Sequence, residues 1–176
     1  MSTGEAIVIA LRIAIPLLIL RYPLAGGLAA MVIDALDVVL ISAMHLGGFG
    51  DHYPELDKLL DSYYLTLELV VAFNWISPYA RNPAIFLYAY RMIGVALFEV
   101  THARALLLVF PNVFENWWLY VVIAARFFPS LYPRTWRSVA MPLVILLIPK
   151  MGQEYMLHYA EVQPWDWIKK NVIRTG

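Results

Sequence analysis

Residues 31–40, MVIDALDVVL, place two aspartates, Asp34 and Asp37, inside an otherwise apolar run. The run extends on both sides, from LAGGLAAM to SAMHL, over about 24–46. That is long enough to cross a bilayer, which takes about 20 mostly apolar residues. An aspartate at the centre of such a helix costs about 2.5–3.5 kcal/mol on insertion scales. Three residues apart, Asp34 and Asp37 share one helix face, so they also repel. The pair therefore needs a cation, a proton or a water-filled cavity. The simplest reading is half of a divalent-metal site. A buried salt bridge to Arg12 or Arg91 is the alternative.

The rest of the chain reads the same way. Of its 176 residues, 61% are hydrophobic and 15% charged. Soluble domains run roughly 45–50% apolar and about 25% charged. The composition points to an all-α, multi-pass integral membrane protein in contact with membrane lipids. Zero net charge excludes a field that gathers nucleic acid. The absence of cysteine excludes disulfides, thiolate chemistry and cysteine metal sites. Six spans are expected, at about 5–20, 24–46, 58–77, 83–101, 113–128 and 138–159. The first reads as a retained helix, since it lacks a basic n-region and Arg12 interrupts it. Residues 1–160 form the transmembrane domain. Residues 161–176, with Trp165 and Trp167 near Lys169 and Lys170, suit an interfacial tail. Tryptophans and tyrosines near the expected span ends fit an aromatic belt. Lys58, Arg104, Lys169, Lys170 and Arg174 fall on one side, and Arg21, Arg81, Arg134 and Arg137 on the other. That count does not fix an orientation.

A second pair of acids follows a Gly-rich loop. Asp57 and Asp61 in ELDKLLD are four apart and share a face. Two antiparallel helices with a short connection bring that face against Asp34 and Asp37. Four carboxylates around one point suit a hard cation such as Mg2+ or Mn2+. Glu68, seven beyond Asp61, extends the same face. The plain alternative for Asp57 and Asp61 is a solvated helix start, where acids favour the dipole.

DALD followed by DKLLD resembles the CDP-alcohol phosphatidyltransferase motif, D-x-x-D-G-x-x-A-R, an eight-residue spacer, then G-x-x-x-D-x-x-x-D. LRIAIPLLIL leading into LAGGLAAMVIDALD is similar to that family's opening, and the likeness covers about 5–65. It implies a six-helix membrane enzyme acting on a CDP-linked lipid. It implies metal ligation by Asp34, Asp37 and Asp57, with Asp61 as metal neighbour and the catalytic base for the acceptor hydroxyl. The motif's Gly is Val38 here, its Ala-Arg is Ile41-Ser42, and its second Gly is Tyr53. The spacer between the aspartate pairs is two residues longer. Those departures fit a divergent member with another substrate. They also fit a relative without catalysis, acting as a homodimer or as an accessory subunit of a larger membrane complex.

The other polar features carry less. Arg91 is expected to pair with Glu68 or Glu99, and Lys150 with Glu154 four residues on. His45, His52, His102 and His158 have no telling spacing, so a haem- or quinone-binding electron-transfer subunit is the most distant reading.

Overall fold

The structure is a computed structural model. It describes residues 3–43, 53–103 and 105–158, and within these the side chains of 6–36, 56–103, 105–153 and Tyr155. All regular secondary structure among the described residues is helical. The expected tail at 161–176 lies outside them.

Helix α1 spans Thr3–Ala14 and tightens into a 3-10 segment at Ile15–Leu20. Pro16 sits in the first turn of that segment, where its missing N–H leaves no bond unmade. The chain then reverses at Arg21 and Tyr22. The Tyr22 N–H donates to the Leu18 carbonyl at 2.7 Å, and the Gly26 N–H to the Tyr22 carbonyl at 2.7 Å. Helix α2, Pro23–Ala43, starts on proline, as does α4, Pro78–Thr101. Helix α3 is Tyr53–Phe73. Helix α4 ends at His102, whose left-handed backbone (φ 53°) lets its N–H bond the Phe98 carbonyl at 2.7 Å. A short α5, Ala105–Val109, leads to α6, Val113–Phe127, and α7 covers Trp136–His158. The helical stretches fall at the positions expected from hydropathy. Two stretches, Pro78–Thr101 and Ala105–Phe127, are long and apolar enough to cross a membrane.

Helix α6 is the pillar of the bundle. Phe114, Trp117, Trp118 and Val121 are fully buried, and they recur at the three- and four-residue spacing of one broad face. Each indole N–H needs an acceptor when buried. Trp117 donates to the Ala80 carbonyl of α4 at 3.0 Å, and Trp118 to the Glu68 carbonyl of α3 at 2.8 Å. Small residues make room for both rings. Ala80 and Ala84 are fully buried in α4, and Ala72 in α3. In α2, Gly26 admits the backbone of Ile19 and Gly27 admits Trp118. Close approach through small residues is how helices pack where burial from water gives no driving force between them.

The outer surface is apolar. Leu17, Leu18, Val70, Phe86, Ile93, Val100, Val144, Ile145 and Ile148 are all exposed. A soluble monomer rarely shows contiguous apolar patches beyond a few hundred Å2.

A side chain at Gly27 would enter the Trp118 ring, since even a Cβ would lie 2.6 Å from Cζ3. At Gly152 nothing lies within 4 Å of such a Cβ. Gly27→Leu should cost about 1–3 kcal/mol by overpacking. Gly152→Leu should be neutral or slightly stabilising, because it replaces a helical glycine. Thermal unfolding of the two variants in detergent checks the contrast.

Candidate functional site

The carboxylates converge. Arg12 of α1 is only 3% exposed, and its guanidinium is held between α2 and α3. Nη1 donates to Asp57 Oδ1, and Nη2 donates to Asp34 Oδ1. Nη2 also donates to Asp61 Oδ1 at 2.5 Å. The spacing argument thus holds for Asp34, Asp57 and Asp61, which meet across the α2–α3 interface. The fourth expected ligand, Asp37, has its side chain outside the described residues. A salt bridge from Asp34 to Arg12, the alternative to a metal site, is present. The solvated reading of Asp57 and Asp61 does not hold as stated, since both face the guanidinium and are about one third exposed.

The same three carboxylates can each offer one oxygen such that all three lie within 4.8 Å of one another. Oxygens ligating a common ion lie at such separations, so the cluster could hold a metal ion. Arg12 already donates to an oxygen of each, and an incoming divalent ion would compete with it.

The carboxylates line a cavity of about 450 Å3. Arg91 of α4, Asn112 before α6, Glu115 and Asn116 of α6, and Lys150 and Gln153 of α7 line it as well. Glu115 is fixed from two sides. Tyr64 O–H donates to Oε1 at 2.9 Å, and Asn112 Nδ2 donates to Oε2 at 2.9 Å. Arg91 donates to the Phe110 carbonyl at 2.9 Å, which ties α4 to the turn before α6. Lys150 donates to Gln153 Oε1 at 3.2 Å. Among its charged groups the cavity shows Asp34, Asp57, Asp61 and Glu115, and Lys58, Arg91 and Lys150. With Arg12, acids and bases among the described residues are equal in number.

The expected pairing of Arg91 with Glu68 or Glu99 is replaced. Arg91 bonds a carbonyl, and Glu99 pairs instead with Lys58 at 3.4 Å. The Lys58 ammonium also sits 3.9 Å above the Phe98 ring. The Glu154 side chain lies outside the described residues. Glu68 follows Asp61 along α3 but does not line the cavity. It is fully buried, and both its carboxyl oxygens lack a hydrogen-bond partner among the described residues. His102 serves as a helix cap. The side chains of His45, His52 and His158 lie outside the described residues.

The Tyr64–Glu115–Asn112 network was not read from the sequence. Its signal was Asn112 followed by Glu115 at a helix start, a capping pattern. The Asn112 side chain accepts from the Glu115 N–H at 3.5 Å.

Compared with family models, with curated proteins and with solved structures, the chain finds no match.

Arg12 is the side chain on which this cluster depends. Arg12→Met should destabilise the protein by about 1–3 kcal/mol. That is less than the 3–5 kcal/mol of a fully buried broken pair, because the carboxylates keep some water. Adding Asp61→Asn to Arg12→Met should recover part of the loss, while Asp61→Asn alone should not stabilise. A double-mutant cycle by thermal unfolding measures that coupling.

Proposed function

We propose that the chain is a multi-pass membrane protein whose cavity binds a divalent cation and a phosphate-bearing head group, and that it transfers a phospho-alcohol group as CDP-alcohol phosphatidyltransferases do. The observation that carries this reading is the convergence of Asp34, Asp57 and Asp61 on a cavity that Arg91 and Lys150 also line. The membrane part is supported by the two long apolar stretches and by the apolar outer surface. Charge balance supports the ligand. Among the described residues the cavity's acids and bases match, so a divalent ion adds two positive charges. The diphosphate diester of a CDP-linked lipid brings about two negative charges, and such a pair enters without a net cost in charge.

In this reading Asp34 and Asp57 hold the cation. Asp61 faces the same point and takes the proton of an acceptor hydroxyl. Arg91 and Lys150 orient the phosphate within the cavity. The bound ion would supply charge neutralisation for attacking and leaving oxygens.

Arg12 favours a second reading. Its guanidinium already compensates the three carboxylates, so a non-catalytic accessory subunit of a membrane complex would be stable without metal. Val38, Ile41 and Ser42, in place of the motif's Gly and Ala-Arg, agree with that reading.

Metal titration separates the two. Under the first reading, Mg2+ or Mn2+ raises the melting temperature of the detergent-purified protein. The gain is about 2.7 kcal/mol at a hundredfold excess over Kd, and it is lost in Asp34→Asn and Asp57→Asn. Asp61→Asn should abolish CMP release from a CDP-linked lipid while retaining part of the metal response. Under the second reading, metal leaves the melting temperature unchanged, and a protein partner co-purifies in fixed ratio.

A further inference from the structure

The end of the bundle away from the carboxylates has its own chemistry. The helices alternate in direction, so the α1–α2 turn, the α3–α4 turn and the α6–α7 connection lie together. The Ser77 hydroxyl donates to the Pro133 carbonyl at 2.6 Å, and Tyr79 meets Trp136 edge to face at 5.5 Å. The segments that build this end, about 15–30, 69–88 and 119–140, contain no aspartate or glutamate. They do contain Arg21, Arg81, Arg126, Arg134 and Arg137. Exposed arginines here therefore have no acid of their own segments to meet.

Two of them flank a groove. A cavity of about 750 Å3 runs between α2, α3 and α6, with Arg21 and Arg126 among its lining. Its walls are apolar and include Leu28, Val71 and Val122, and Trp75 lies beside them. Both arginines are exposed. Among the described residues neither side chain makes a hydrogen bond or ion pair. Arg21 lies only over its neighbour Tyr22, 6.0 Å from the ring centroid. Arginine's planar fork suits phosphate oxygens, and Trp and Tyr favour the level of lipid head groups.

We propose that this groove is a binding site for an anionic phospholipid. The phosphate lies between Arg21 and Arg126, and one acyl chain lies along Leu28, Val71 and Val122. Charge complementarity selects the occupant. The groove's lining combines two exposed arginines, without a partner among the described residues, with apolar walls, and an amphipathic anion satisfies both. The proposal rests on the reading that the bundle sits in a membrane, but not on the metal site.

The test uses the full chain in a neutral detergent. Melting is followed with added phosphatidylglycerol, phosphatidylcholine or inorganic phosphate. Phosphatidylglycerol should stabilise, and the other two should not match it. Arg21→Gln with Arg126→Gln should weaken its binding about tenfold or more, with the lipid-free melting temperature unchanged. Arg134→Gln with Arg137→Gln should keep the response. Equal effects of the two lipids would overturn the site. So would an equal effect of phosphate alone, or a loss shared equally by the Arg134 and Arg137 variant. If the chain stays monodisperse without detergent before any lipid is added, the membrane reading itself fails, and that outcome is seen separately.

Discussion

Arg12 enters from α1 and meets carboxylates from α2 and α3, and this meeting constrains three helices at once. A guanidinium offers five donors in a fixed plane. It cannot follow a helix that slides or turns without breaking a bond to one of the others. The apolar contacts around it are less particular, since leucine and isoleucine faces tolerate small shifts. The charged cluster therefore specifies register, while Trp117 and Trp118 supply packing. The two devices sit on different helices. Arg12 locks α1 to α2 and α3, and α6 locks α2, α3 and α4 through its indoles.

The same cluster explains why structure and chemistry are entangled here. A site built to receive a cation resembles a site that already has one. Three carboxylates within reach of one point will accept a guanidinium or a divalent ion. The resident side chain has the advantage of being tethered. Any metal binding here would depend on how far α1 lets Arg12 withdraw, not on the carboxylates alone.

Much of this was legible in the sequence because it followed from periodicity. Asp34 fell near the middle of an apolar run, and Asp57 and Asp61 shared a face across a short connection. Antiparallel helices did the rest. What periodicity could not supply was rotation about each helix axis. Arg91 was expected to find Glu68 or Glu99. Instead it turned to the Phe110 carbonyl, and Glu68 was carried into the core beside Gly27 and Trp118. A basic residue in an apolar helix has several acids within nominal reach, and only packing decides among them. The acid-free arginine end was visible as a composition pattern. Counting bases alone hid it, because the telling feature is the lack of acids in three separate segments.

The 3-10 segment after α1 has a further consequence, for length. Helix α1 and the segment together comprise only 18 residues, 12 and 6. An α-helix rises about 1.5 Å per residue and a 3-10 helix about 2.0 Å. The combined reach is about 30 Å, the thickness of a bilayer's hydrocarbon core. Stretching the backbone lets a short segment reach farther than an α-helix of the same residue count. It also changes which side chains line up. At three residues per turn, Pro16 and Ile19 stack and are buried, while Leu17, Leu18 and Leu20 face outward. One change of helical pitch thus sets both how far the first segment reaches and which of its residues the surroundings touch.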